Sequence, residues 1–106
     1  SKIFTVTVMD EFYQNIGDAL KMLDGLEKDL NIEHFTPNEL RVFYTVIKHS
    51  TSSIKGSNIS EIVKNSGMSR STVYKTLKKL SSEGIISFFQ SEEDGRESLI
   101  HLNSIS

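Results

Sequence analysis

Apolar residues recur along the chain with two periods, and the changes of period mark its elements. Phe12, Ile16, Ala19, Leu23, Leu26 and Leu30 are spaced by 4, 3, 4, 3 and 4 residues, the alternation of a helical seam. Asp10 stands ahead of the seam as an N-cap. Gly17 and Gly25 fall outside it, and each costs a helix roughly 1 kcal/mol relative to alanine. Packing, within the chain or against another, has to support such a helix. Residues 1–9 read differently: Ile3, Thr5, Val6, Thr7 and Val8 are β-branched, with no glycine or proline among them. They predict an extended strand, whose partner lies elsewhere in this chain or in a second one.

The next helix is announced by Thr36-Pro37-Asn38-Glu39. A hydroxyl stands at the N-cap, a proline at the first helical position and a carboxylate where it closes a capping box. Leu40, Phe43, Tyr44 and Ile47 form its expected apolar stripe, and residues 49–56, rich in Ser and Thr, read as a loop. Asn58-Ile59-Ser60-Glu61 repeats the capping pattern for a short helix burying Ile59, Ile62 and Val63, which Gly67 stops at about Ser66. Ser69 caps another helix, with Met68 and Val73 spaced as a hydrophobic staple. Val73, Leu77 and Leu80 are its inner stripe, and Gly84 ends it. Residues 85–90 and 98–102 then read as two strands around Asp94-Gly95, a hairpin signal.

Composition bounds what these elements can do. With 106 residues, 37% of them hydrophobic, the chain suits one compact domain with a modest core and no deep substrate cavity. Two segments divide it: residues 1–35, strand and amphipathic helix, and residues 36–106, the remaining helices and hairpin. The absence of cysteine excludes disulfides, thiolate metal sites and thiol nucleophiles. No apolar run approaches the roughly 20 residues that cross a bilayer, and no basic segment leads into an apolar one. The chain therefore reads as soluble, unexported and cytoplasmic, with no membrane partner.

The net charge of -2 argues against nucleic acid only until it is divided. Residues 1–39 sum to -5, whereas residues 57–82 set Lys64, Arg70, Lys75, Lys78 and Lys79 against Glu61 alone, a sum of +4. The local field is what a polyanion meets. Residues 58–84 are also a short helix, a tight turn containing glycine and a longer helix, the parts of a helix-turn-helix, in which the first helix braces the second for the major groove. With Val73, Leu77 and Leu80 turned inward, Ser71, Lys75, Lys78, Lys79 and Ser82 face outward, flanked by Arg70, Thr72, Tyr74 and Thr76. Short hydroxyls and lysines on one exposed face match polynucleotide chemistry.

From Asn58-Ile59-Ser60-Glu61-Ile62-Val63 through Ser66-Gly67-Met68-Ser69-Arg70-Ser71-Thr72-Val73-Tyr74, Leu77-Lys78-Lys79-Leu80 and Glu83-Gly84-Ile85-Ile86, the chain resembles winged helix-turn-helix transcriptional regulators of the MarR- and TrmB-like branches. The likeness runs from Thr36 to about Leu102. It implies a mainly α fold with a small antiparallel β wing, here with an additional N-terminal strand and helix. It also implies a dimer reading double-stranded DNA with helix 69–83. Carried over by position, Ser69, Arg70, Ser71, Thr72, Tyr74, Lys75 and Lys78 are DNA-contacting candidates, to which Asn58 and Lys79 are added. Arg96, beside the wing turn, falls where the family often carries a basic residue aimed at the minor groove. Glu92, Glu93 and Asp94 depart from that pattern, and pairing with Glu93 is the other reading of Arg96.

The seam of Phe12, Ile16, Ala19, Leu23, Leu26 and Leu30 is the candidate dimerisation element, since a winged domain already buries its own faces; packing on the chain's own core is the alternative. Catalysis is not expected. His34, His49 and His101 are scattered without metal-ligand spacing, and no phosphate loop or nucleophile elbow occurs. No metal or cofactor is expected. The sequence thus points to a sequence-specific, dimeric transcriptional regulator. Its alternatives are a winged-helix protein-interaction module and a DNA-binding plasmid or phage replication or partition protein.

Overall fold

A computed structural model describes residues 2–52, 56–90 and 98–104. The chain divides into two units, Ser1–His34 and Phe35–Ser106. The first is one helix, α1 (Lys2–Asp29). The expected strand over residues 1–9 is therefore replaced by helix from Lys2 onward, and Asp10 lies inside α1 instead of capping it. A lone strand has no ladder to satisfy its backbone, whereas extending an existing helix gains one hydrogen bond per residue fixed. β-branched residues lower helix propensity by less than about 1 kcal/mol each. Asn31 ends the helix with φ at 61°, and the Ile32 N–H closes onto the Glu27 carbonyl at 2.9 Å, satisfying a terminal acceptor.

In the second unit, α2 (Pro37–Ser52) starts from the capping box read in the sequence. The Thr36 N–H donates to Glu39 Oε1 at 3.0 Å and the Glu39 N–H to Thr36 Oγ1 at 3.2 Å. Its buried stripe is displaced from the expected one. Glu39, Val42, Phe43 and Val46 are buried, while Leu40, Tyr44 and Ile47 are half-buried. The helix also continues through residues 49–52, read as loop, because no glycine or proline stops it before Gly56.

Strand β1 (Ser57–Asn58) leads into α3 (Ile59–Ser66), then α4 (Arg70–Ser82), β2 (Ile86–Gln90) and β3 (Ser98–Leu102). The sheet order is β1-β3-β2, with Ser57 opposite Ile100 and Phe88 opposite the same residue from the other side. Antiparallel pairing of β2 with β3 realises the hairpin, and β1 adds a third strand. Helices α2, α3 and α4 pack on one another, and β3 closes against α2. The core joins Phe35, Val42, Phe43, Val46, Ile62, Val73, Leu77, Leu80, Ile85, Ile86 and Ile100. This is the winged helix-turn-helix architecture.

Candidate nucleic-acid interface

The turn between α3 and α4 is built from three local devices. Asn58 Oδ1 accepts the Glu61 N–H at 2.8 Å and starts α3. Gly67 ends it with φ at 72°, its N–H donating to the Val63 carbonyl at 3.2 Å, a left-handed position that glycine takes without a Cβ clash. Ser69 Oγ then accepts the Thr72 N–H at 3.2 Å and starts α4. The two helices are tied at their N-terminal ends by Arg70, whose Nη2 donates to Ser60 Oγ at 3.1 Å.

Burial of Val73, Thr76, Leu77 and Leu80 fixes the rotation of α4 about its axis. Thr76, read as flanking, belongs to the core face, and its hydroxyl donates to the Thr72 carbonyl at 2.8 Å. The opposite face leaves Arg70, Ser71, Tyr74, Lys75 and Lys78 exposed, and no carboxylate occurs between Arg70 and Ser82. At the N-terminal end of that face the Ser69 hydroxyl donates to Thr72 Oγ1 at 2.9 Å and lies 3.3 Å from Ser71 Oγ. The Lys78 ammonium sits 4.9 Å from the centre of the Tyr74 ring, a cation–π arrangement across one helical turn.

Two candidates have side-chain groups engaged away from this face. Asn58 has its side-chain oxygen committed to capping α3. Lys79 is ion-paired with Glu39 of α2 and lies 5.6 Å from the centre of the Phe35 ring. Burial alone would raise the Glu39 pKa. The hydrogen bonds from Lys79 and Thr36, with the charge of Lys79, outweigh it and hold the carboxyl below its ordinary value. Arg96, with Glu92, Glu93, Asp94 and Gly95, lies outside the described residues. On α1, Phe12 and Ile16 are 56% and 42% exposed, Ala19 is exposed, and Leu23, Leu26 and Leu30 are half-buried.

A helix-turn-helix with a cationic outer face and a three-stranded wing is similar in fold to several solved regulators. A point mutant of S. aureus MepR superposes with a TM-score of 0.59 at 18% identity, over 87% of this chain and 65% of that one. PcaV from Streptomyces coelicolor, in complex with its natural ligand, gives 0.57 at 20% identity, over 81% of this chain and 60% of that one. S. aureus MepR in complex with DNA gives 0.57 at 19% identity, over 87% and 72%. The chain thus spans less than two thirds of the first two, and at these identities the likeness carries the fold alone. No curated protein matches the chain. A family model described as the sugar-specific transcriptional regulator TrmB matches residues 30–97, more than half of the sequence.

The chain belongs to the TrmB family. The residues matched hold all three helices of the second unit with β1 and β2, and stop just before β3. In this TrmB-family chain one positioning residue escapes the sequence reading. Asn103 Nδ2 donates to the Gly84 carbonyl at 2.8 Å, its Oδ1 accepts from the Ser87 hydroxyl at 2.7 Å, and its N–H donates to the Ile85 carbonyl at 2.8 Å. It pins the chain just after β3 to the junction that leaves α4 and to the start of β2. No local pattern marks a contact across 19 residues.

Proposed function

We propose that this TrmB-family regulator binds double-stranded DNA with sequence preference, laying the exposed face of α4 in the major groove. The observation that carries this reading is the clustering of Arg70, Ser71, Tyr74, Lys75 and Lys78 on one carboxylate-free face, over a stripe buried against α2 and α3. Lys75 and Lys78 neutralise phosphates. Ser71 and the N-terminal hydroxyls of Ser69 and Thr72 meet phosphate or base edges, where the helix dipole favours an anion. Arg70, steadied by Ser60, supplies the charge nearest that end. Lys79 adds less, because Glu39 neutralises it, and Asn58 acts through the cap it forms.

The protein acts as a homodimer through the seam of α1, Phe12, Ile16, Ala19, Leu23, Leu26 and Leu30, in which Phe12 and Ile16 are large apolar side chains about half exposed. Water-exposed surface of that kind favours association. Two-fold pairing sets two α4 helices one DNA turn, about 34 Å, apart and calls for a palindromic site. The role is non-enzymatic and cytoplasmic; among the described residues no helix is long and apolar enough to cross a membrane.

Selection of duplexes from a random pool, with light scattering on the free protein and on the complex, tests this reading. Enrichment of an inverted repeat bound by two chains supports it. An unenriched pool with no retained duplex contradicts it and leaves the protein-interaction alternative.

A further inference from the structure

The lysines of α4 are handled in three ways. Lys79 is neutralised by Glu39. Lys75 has no ion-pair partner among the described residues and is exposed. Lys78 is held over the Tyr74 ring, 4.9 Å from its centre, with both side chains exposed on the outer face. The difference between the holders of Lys78 and Lys79 is chemical. A carboxylate fixes an ammonium and cancels its charge, whereas an aromatic face fixes it and leaves the positive charge available to a second, anionic partner.

We propose that Tyr74 is a positioning residue for Lys78: its ring orders the lysine before DNA arrives, so the charge is delivered to one phosphate along the groove. The inference rests on the DNA-binding reading above and assigns Tyr74 a role through Lys78 instead of through its hydroxyl. A free lysine loses the freedom of a four-carbon stem when it is immobilised at an interface, and that loss opposes binding. The spacing of Tyr74 and Lys78 brings the two together across one turn of helix without any distortion of the backbone. An exposed cation–π contact is worth a factor of about two to five in an equilibrium, which sets the scale of the effect.

The test is a double-mutant cycle in the full chain, using a fluorescently labelled duplex drawn from the selected pool, with thermal unfolding of each variant as the check on folding. Lys78→Ala weakens binding and lowers the slope of log K against log salt by about one. Tyr74→Leu weakens binding by about two- to fivefold, Tyr74→Phe restores it, and Tyr74→Leu added to Lys78→Ala has no further effect. An equal cost of Tyr74→Leu in both backgrounds, or failure of Tyr74→Phe to restore affinity, overturns the positioning role while leaving the DNA-binding reading intact. Unchanged affinity and salt slope in Lys78→Ala also overturn the positioning role, because Lys78 then meets no phosphate, whereas only a wild type that retains no duplex overturns the DNA-binding reading.

Discussion

Lys79 of α4 is ion-paired with Glu39 in the first turn of α2. The pair joins the helix proposed to enter DNA to the helix that carries much of the core, and it offsets the charge of one α4 lysine. The Lys79 side chain keeps about half its exposure, so solvent screens much of the attraction. Lys79→Ala should cost about 1 kcal/mol of stability or less, read as a lower urea midpoint with an unchanged m-value. The same substitution should leave DNA affinity within about twofold, whereas Lys75→Ala should weaken it and lower the salt slope by about one.

The same pair sets an acid limb of stability. The folded pKa of Glu39 is lowered, so its contribution is complete above the unfolded glutamate value of about 4.3 and is lost as pH falls through the lower folded value. Melting temperatures of the wild type and Glu39→Gln, measured from pH 7 down to pH 3, should differ most at neutral pH and converge at the acid end. A difference that grows toward low pH would contradict the assigned direction.

Glycine positions separate in an equally specific way. Gly56 has φ at 87°, and a Cβ there would meet the Ile100 carbonyl at 2.8 Å and His101 Nε2 at 2.9 Å. Gly56→Ala should therefore destabilise by about 1–3 kcal/mol. In α1, a Cβ on Gly17 or Gly25 meets nothing within 4 Å. Changing either to alanine should raise helicity by circular dichroism and stabilise by roughly 0.5–1 kcal/mol.

Asn103 offers a test of the wing's anchorage. Asn103→Ala removes the side-chain bonds to Gly84 and Ser87 and should cost about 1–2 kcal/mol in urea denaturation. Amide exchange should accelerate across β2 and β3 more than across α3 and α4. Uniform acceleration would mean that the residue stabilises the whole unit instead of its wing.

What is legible in the sequence is what local chemistry decides. The Thr36–Glu39 capping box, the Asn58 cap, the stop at Gly67 and the Ser69 cap each depend on residues within a few positions, and each is formed as read. The inner stripe of α4 is legible because Val73, Leu77 and Leu80 repeat at helical spacing. The stripe of α2 is displaced from its reading because Leu40 and Ile47 are as apolar as Val42 and Val46, and only packing decides between the two sets. Residues 1–9 mislead because β-branched composition speaks for a strand only where another strand is available to pair with it. The partners of Lys79 and Asn103 come from distant parts of the chain, so no local pattern signals that Lys79 is neutralised or that Asn103 holds the wing.

The central claim is that the outer face of α4 meets duplex DNA. The most direct measurement is the affinity of wild type and the Lys75→Ala/Lys78→Ala double variant for a selected duplex, by fluorescence anisotropy across a salt series, with thermal unfolding of both proteins recorded alongside. With equal melting temperatures, the double variant should bind at least about tenfold more weakly at low salt, and its slope of log K against log salt should be smaller by about two. Matching affinities and matching slopes for the two folded proteins would contradict the claim.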